Sequence, residues 1–468
     1  MNEVKKPAPQ PAPQPTPSPV PTAKPTEKAA AAPPAELDRT TPPPILTPQR
    51  IDIQRPERIV MPNGVKLNVL NDEACADVTR IDLLMDGGRW QQQLPLQALF
   101  TNRMLREGTT RFTAHDIAEQ LDYYGAWLEL SVAAQHAHIA LYSLNKYLPQ
   151  TLDLLQSIVM EPTFPQQELD VIVDSNRRRF IVNCSRVDFM AHRHLLNRLF
   201  GDAHPHGLLV TPEDYNRVEP GLLRDFYQRH YHSRNSTVYL SGRVTDDCLS
   251  RIERIFGSTP FGEGFITAER KVYAACTSPV KRTFIHLPQT MQSGVRMGLL
   301  TIDCLHPDFL KLKVLVTLLG GYFGSRLMAN IREDKGYTYG IAANLSPYPG
   351  GCLLEIGAET ANQWVEPLIR EVYREIERLQ NDPVGEDELT MVKNYMVGEM
   401  CRGYESLFSL AGAWMYVQVY GHDDDYFDHS LQAVRDISSD DLLRLSRTYL
   451  NIDAMREVVC GEGKTGTP

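Results

Sequence analysis

The chain has 468 residues and a net charge of −10, since 58 Asp and Glu residues outnumber 48 Lys and Arg residues. Its length suits about two to four ordinary domains. The acidic balance, with no Lys/Arg run longer than residues 177–179, argues against a nucleic-acid partner. No apolar window of about 18 residues occurs, so no membrane span is expected. Eight cysteines stand singly, which argues against a disulfide framework or a metal ribbon.

The N-terminal segment, residues 1–52, is predicted to be a disordered or polyproline-II leader. Its first 50 residues hold 15 of the 33 prolines and show no apolar periodicity, so they cannot bury enough surface to offset their ordering entropy. We expect a spacer, with a docking arm for a proline-binding partner as the alternative. No apolar stretch follows Lys5 and Lys6, so no secretory signal is visible and a cytoplasmic location is expected. A trimmed N-terminus would instead leave a periplasmic location open.

From residue 53 onward, segments with the period-two alternation of strands alternate with segments of helical periodicity. The first half has predicted strands near 67–72 and 79–86, with hairpin character, and within 127–143, and predicted helices at 94–107, 114–124, 147–160 and 168–182. The second half has predicted strands near 282–287, 294–301 and 337–358, and predicted helices near 308–319, 324–334 and 364–380. Hairpins separated by helices indicate an α+β fold in which helices cover one face of a mainly antiparallel sheet.

The sequence also repeats itself loosely at a period of roughly 220 residues. The matching features are a helix start at residues 165–169 and 385–389, and a tyrosine ahead of a last strand at Tyr231 and Tyr449. The repeat predicts two homologous domains, 53–265 and 266–468. The linker between them is expected between residues 264 and 280.

Several short segments, in this order and spacing, resemble the insulinase/pitrilysin family of zinc metallopeptidases. In the first half these segments are residues 63–67, 87–90, 105–109, 162–165, 204–207 and 226–231. In the second half they are residues 320–327 and 331–339, which resemble the companion domain of the family. The resemblance covers roughly residues 55–462, which is nearly everything except the leader.

The zinc-binding motif of the family is missing. Active members carry H-x-x-E-H on a helix just before the segment that matches residues 105–109. That spacing places two imidazoles on one helix face to hold zinc, and the Glu polarises the metal-bound water. Here Leu99 has no ligand atom, Asn102 stands in place of the base, and Arg103 would repel a divalent cation. The third ligand, a Glu further downstream, is also missing from residues 174–180.

Substrate-binding features of the companion domain remain. In the family, an Arg and a Tyr seven residues apart reach across to the substrate at the zinc, and Arg332 and Tyr339 keep that spacing. The resemblance implies that Arg332 binds peptide carbonyls and that Tyr339 stabilises the oxyanion. Gly320 and Gly321 resemble the glycine-rich loop with which non-catalytic subunits of the family handle substrate. The alternatives are an ion pair for Arg332, sheet packing for Tyr339 and a plain turn for the glycines.

Other polar clusters are weaker candidates. Three histidine pairs have i, i+2 spacing, but none brings a Cys or carboxylate at ligand spacing. These pairs are His136 with His138, His192 with His194, and His230 with His232. Ordinary surface or core histidines are the preferred interpretation. The acidic turn at residues 423–425 is expected to be solvated, because it lacks the regular spacing of a calcium loop.

Together these features predict a non-catalytic, substrate-binding subunit of a heterodimeric peptidase of this family. The chain itself is expected to hold no cofactor, and zinc is expected in a catalytic partner with an intact H-x-x-E-H. The expected substrates are peptides or short unfolded segments. One alternative is a structural scaffold in a larger complex, without a role in proteolysis. Another is a peptidase that acts alone through a metal site built from the scattered histidines.

Overall fold

The structure is a computed structural model that describes residue 40, residues 47–262 and residues 273–462. The residues from Thr47 onward form one unit. Most of the predicted leader, and part of the predicted linker between 264 and 280, lie outside the described residues. The boundaries of the two domains therefore stay a prediction. Within the described ranges, no helix combines the length and the apolar character needed to cross a membrane.

The first sheet has six strands and is mainly antiparallel, as predicted. They are β1 (Glu57–Val60), β2 (Lys66–Asn71), β3 (Val78–Met85), β4 (Trp127–Val132), β5 (Ala137–Leu144) and β6 (Ser236–Gly242). Their order is β1-β2-β6-β3-β5-β4, and only β2 and β6 run parallel. The predicted hairpin between 67–72 and 79–86 is wrong, because β6 pairs with both strands and separates them. Period-two patterns locate strands but carry no information on such distant partners.

Among the described residues, seven α-helices belong to the first half of the chain. They are α1 (Gln97–Met104), α2 (Ala114–Tyr124), α3 (Leu148–Met160), α4 (Gln166–Asn183), α5 (Val187–Phe200), α6 (Pro220–His230) and α7 (Asp246–Ile252). Local signals fix α2: Thr113 and Asp116 form a capping box, and Gly125 ends the helix with a φ of 60°. Leu152 and Ile158 of α3 pack with Ile81 and Ile139 of the sheet in one core.

The second sheet repeats the arrangement of the first. Its strands are β7 (Arg282–His286), β8 (Gln292–Thr301), β9 (Thr338–Tyr348), β10 (Gly351–Ala361) and β11 (Arg456–Gly461). The order β7-β11-β8-β10-β9 matches β2-β6-β3-β5-β4 strand for strand, including the single parallel pair. The internal repeat predicted from the sequence is therefore present in the fold.

Six regular helices accompany the second sheet. They are α8 (Phe309–Val316), α9 (Val365–Asn381), α10 (Glu386–Gly403), α11 (Leu407–Tyr420), α12 (Tyr426–Asp436) and α13 (Ser439–Tyr449). Two wider, π-helical turns, Thr317–Gly321 and Met328–Asp334, stand where the sequence predicted the end of one helix and most of the next. Turns of this kind occur often at functional sites.

One helix from each half packs on the sheet of the other half. Val187, Leu195 and Leu199 of α5 pack on Leu353 and Val458 of the second sheet. Strand β8 accepts α5 closely because it carries glycine there: a Cβ at Gly294 would lie 2.5 Å from the carbonyl oxygen of Val187. The exchange covers the sheet face that the helices of the same half leave open, and the sequence analysis did not foresee it.

Helix α11 performs the reciprocal task on the first sheet. Its Leu410 and Trp414 pack on Leu70, Leu84 and Tyr239. A polar contact adds to the packing, since the Tyr239 hydroxyl lies 2.6 Å from Oε1 of Gln418. The two halves are thus interlocked by a pair of exchanged helices.

Residues 54–58, which lead into β1 and form its start, contact side chains of the second half. Trp414 donates its indole N–H to the carbonyl oxygen of Gln54 at 2.9 Å. Arg55 and Arg58 bind Asp425 and Asp424 at 2.8 and 2.6 Å. The hydrogen bond from Arg58 lowers the pKa of Asp424. The acidic turn is therefore not merely solvated, as its sequence suggested, because two of its carboxylates hold arginines of this segment.

Shortening a buried side chain of α5 should weaken the second sheet, which this helix covers. Leu195→Ala removes a fully buried side chain of α5 and should cost about 2–5 kcal/mol of unfolding free energy. Hydrogen exchange should show the first loss of protection in β8 and β11. The matched control, Leu152→Ala, lies in the core of the first half and should expose β3 and β5 first. If both variants lose protection in the same strands, the exchange is not what supports the second sheet.

Two histidines lie where the halves meet: His204 is buried and His206 is half-buried. The ring of His204 stacks on Phe200 of α5 at 4.5 Å and meets Trp90 edge-on at 5.0 Å. The centroid of the His206 ring lies 5.5 Å from that of His204 and 5.9 Å from that of Tyr348 in β9. Neither Nε2 atom has a hydrogen-bond partner among the described residues. Burial lowers the pKa of His204 to about 4 and, together with the positive charge of Arg89, lowers the pKa of His206 to about 3.

Acidification will therefore destabilise the protein through this pair. Because both pKa values in the folded state lie below the ordinary value of about 6.5, the unfolded chain takes up protons first as the pH falls. Stability should decline from about pH 6.5 toward pH 4, and the melting temperature measures it. His204→Asn should flatten this decline, whereas His115→Asn, at an exposed position, should follow the wild type. Parallel curves for wild type and His204→Asn would contradict the assignment.

Candidate functional site

The positions that would bind zinc lie on α1. Leu99 packs against the core of the first half. Asn102 is fully buried, and its amide donates a hydrogen bond to the Tyr231 hydroxyl at 3.3 Å. Burial in turn raises the pKa of Tyr231. These side chains support the packing of α1 and offer no metal-ligand set.

Arg103 joins α1 to α4, the helix that carries the third zinc ligand in the family. Its guanidinium donates to the side-chain oxygen of Asn176. Burial lowers the pKa of Arg103, and the neighbouring positive charge of Arg179 lowers it further. A guanidinium cannot ligate a metal, and the positive charges of Arg103 and Arg179, which lie close together, would repel one. The residues at this place therefore do not fit a zinc ion.

Three of the six histidines in the i, i+2 pairs contact separate carboxylates. His138 lies 2.8 Å from Asp82, whereas His136 lies 3.2 Å from Asp86. His192 of α5 lies 2.8 Å from Glu355 of β10, where it adds a polar contact between the halves. Within residues 47–262 and 273–462, no group of three or more His, Cys, Asp or Glu residues is placed to hold a metal ion.

Arg332 and Tyr339 face one open cavity of about 570 Å³. Arg332 lies in the wide turn Met328–Asp334, and Tyr339 lies near the start of β9, an edge strand of the second sheet. Gly336, with a φ of 65°, reverses the chain between them. The sequence spacing thus corresponds to a real juxtaposition in space. The same cavity is lined by Trp364, which is 37% exposed.

Both side chains are accessible. Tyr339 is 92% exposed, and none of the described residues hydrogen-bonds its hydroxyl. The closest carboxylate to Arg332 belongs to Glu333, at 3.9 Å, which is too far for a hydrogen bond. The guanidinium instead lies over the ring of Phe323, 4.4 Å from its centroid. Arg332 thus forms a long ion pair with Glu333, one of the alternatives considered for it, whereas the exposed Tyr339 side chain is not packed on the sheet.

The two glycines have different surroundings. Both lie in the wide turn Thr317–Gly321, so this part of the chain is helical where the resemblance implied a loop. Gly320 is buried, and a Cβ there would come within 2.6 Å of the backbone nitrogen of Ala343 in β9. Gly321 is exposed, and a Cβ there would lie 3.2 Å from Thr317. Gly320 thus allows close packing of the turn on the sheet, and neither residue reaches the cavity lining.

Two family models match this chain. Residues 91–211 match the insulinase family, peptidase family M16, and residues 217–396 match the inactive domain of peptidase M16. The matched segments are 121 and 180 residues long, or 301 of the 468 residues together.

Curated relatives and solved structures agree with these matches. The chain is 23% identical over 354 residues to an uncharacterized zinc protease YmxG of Bacillus subtilis, covering 75% of this chain and 85% of the relative. It is 26% identical over 254 residues to the non-peptidase homolog YmxG of Helicobacter pylori, covering 54% and 57%. The fold is similar to the crystal structure of a peptidase M16 inactive domain from Pseudomonas fluorescens, with a TM-score of 0.79 and 21% identity over 88% of this chain and all of the other.

Zinc should not stabilise this protein. Because Leu99 and Arg103 offer no ligand atom, the melting temperature should be the same with excess zinc and with a chelator. A triple variant, Leu99→His/Arg103→His/Asn176→Glu, places two imidazoles and a carboxylate on the two facing helices and serves as the comparison. We expect a zinc-dependent rise in melting temperature only for the variant. One tightly bound zinc per wild-type chain would overturn the assignment.

Proposed function

The chain belongs to the insulinase family, peptidase family M16, as a member without H-x-x-E-H, and from this premise we propose that it is the substrate-binding subunit of a heterodimeric zinc peptidase. A partner chain of the same family would supply the intact motif, the zinc and the third ligand. This chain would supply Arg332 and Tyr339. The substrates would be peptides or short unfolded segments.

The proposal rests on one difference between the two halves: the first has lost the residues of its metal site, whereas the second keeps its Arg and Tyr. In the first half, every position of the metal site has been replaced, and Arg103 adds a positive charge there. In the second half, Arg332 and Tyr339 remain together at an open cavity, accessible and without strong internal partners. A protein used only as a scaffold has no need for an exposed tyrosine at the same cavity as an arginine whose carboxylate partner is 3.9 Å away. A subunit that completes the site of another chain requires both.

Each residue has a distinct chemical task in this proposal. The planar guanidinium of Arg332 would donate forked hydrogen bonds to carbonyl oxygens of the peptide and so fix its position. The hydroxyl of Tyr339 would donate to the oxyanion that forms when water attacks the scissile carbonyl. Zinc in the partner would polarise that water, and the partner's base would take its proton. Neither task requires a metal in this chain.

The test is reconstitution with a chain that retains H-x-x-E-H from the same genome. The mixture should cleave unstructured peptides, whereas neither chain alone should do so. Tyr339→Phe should lower kcat by roughly 10²–10³-fold, which is the usual effect of one lost oxyanion donor. Arg332→Ala should mainly raise KM, because it removes a contact made by both substrate and transition state.

Matched controls separate these effects from surface changes. Tyr123→Phe and Arg374→Ala alter exposed residues of the same types that lie elsewhere, and both should behave as the wild type. If the mixture is active and the variants at 332 and 339 match the wild type, the cross-site role is wrong. If the chain purifies instead within a large assembly that lacks any peptidase, it acts as a structural scaffold.

A further inference from the structure

We infer that Phe323 is a positioning residue for Arg332: its ring supports the guanidinium so that the N–H edge faces the cavity. The inference rests on the proposed function, because it explains how the substrate-binding arginine is held. The centroid of the Phe323 ring lies 4.4 Å from the guanidinium carbon, within the range of a cation–π contact.

Arg332 has little else to fix it. Its side chain is one third exposed, and the carboxylate of Glu333, at 3.9 Å, is too far to hold it by a hydrogen bond. Glu333 is itself about half exposed, so water screens its charge. A long side chain in this situation samples many rotamers, and binding a peptide would then cost the entropy of ordering it. A planar aromatic surface beneath the guanidinium removes part of that cost.

The local structure explains why Phe323 stands there. Tyr322 has an extended backbone, with φ −150° and ψ 172°, so the side chains of Tyr322 and Phe323 point to opposite sides. Tyr322 turns inward and stacks on Tyr395 of α10 at 4.8 Å. Gly324 makes room for it, since a Cβ there would lie 2.8 Å from the Tyr322 ring. Phe323 is thereby directed outward, toward Arg332.

The exposure of Phe323 leaves its contact with Arg332 open to a ligand. The residue is 62% exposed, so a peptide or a partner chain can reach the ring and the guanidinium above it. A guanidinium that lies flat on an aromatic ring keeps its five N–H donors free, because they point outward in the plane of the guanidinium and the ring contacts only its face. The contact therefore holds Arg332 without occupying the donors that a peptide carbonyl would accept from.

Three substitutions separate aromatic support from plain apolar contact. Phe323→Leu keeps the apolar character but removes the π face, whereas Phe323→Tyr and Phe323→Trp keep it. In the chain alone, the arginine Nε–H resonance that disappears in Arg332→Lys should carry an upfield ring-current shift. That shift should persist in the Tyr and Trp variants and vanish in the Leu variant. An unchanged Arg332 resonance in Phe323→Leu would overturn the inference.

The reconstituted peptidase provides the second readout. Phe323→Leu should raise KM for a peptide about two- to fivefold with kcat unchanged, as expected for loss of an exposed cation–π contact. Phe323→Tyr should restore the wild-type KM. Phe284→Leu, at an exposed phenylalanine on β7, is the matched control and should have no effect.

The two readouts distinguish the two ways of failing. If Arg332→Ala impairs cleavage but Phe323→Leu matches the wild type, the positioning role is wrong and the proposed function stands. If Arg332→Ala has no effect on cleavage, the proposed function fails and the positioning role fails with it.

Discussion

The packing of α5 on the second sheet and of α11 on the first sheet holds the two halves of the fold together. Each sheet buries one face under helices of its own half and the other face under a helix of the opposite half. An apolar sheet face left in water would cost the hydrophobic free energy of every side chain on it. Neither half can therefore be removed without exposing the other.

This interlock offers a physical reason why a half without peptidase chemistry persists. The first half no longer presents zinc ligands, but its α5 covers the second sheet, and β9 of that sheet carries Tyr339. Leu99, Asn102 and Arg103, which stand where active members carry His, Glu and His, take no part in that packing. A domain without the zinc ligands can thus still cover the sheet of the other half.

Charge separates the two candidate sites. The guanidinium of Arg103 lies near that of Arg179, at the place that a divalent cation would have to occupy. Around Arg332 the guanidinium has an aromatic face beneath it and only a distant carboxylate beside it. One arginine is engaged within the fold through Asn176, and the other is left available. The same residue type is therefore enclosed at one place and accessible at the other.

Features that depend on local chemistry could be predicted from the sequence. Helical periodicity located α2 at 114–124, whose ends the capping box and Gly125 explain, and the repeat appeared in matching segments. The absence of the zinc ligands could be read once the resemblance to the family aligned residues 99–103. The insertion of β6 between β2 and β3, the exchanged helices, and the contact of Phe323 with Arg332 became visible only in the folded chain. These features join residues far apart or on different elements, and periodicity records which side of an element is apolar but not which partner covers it.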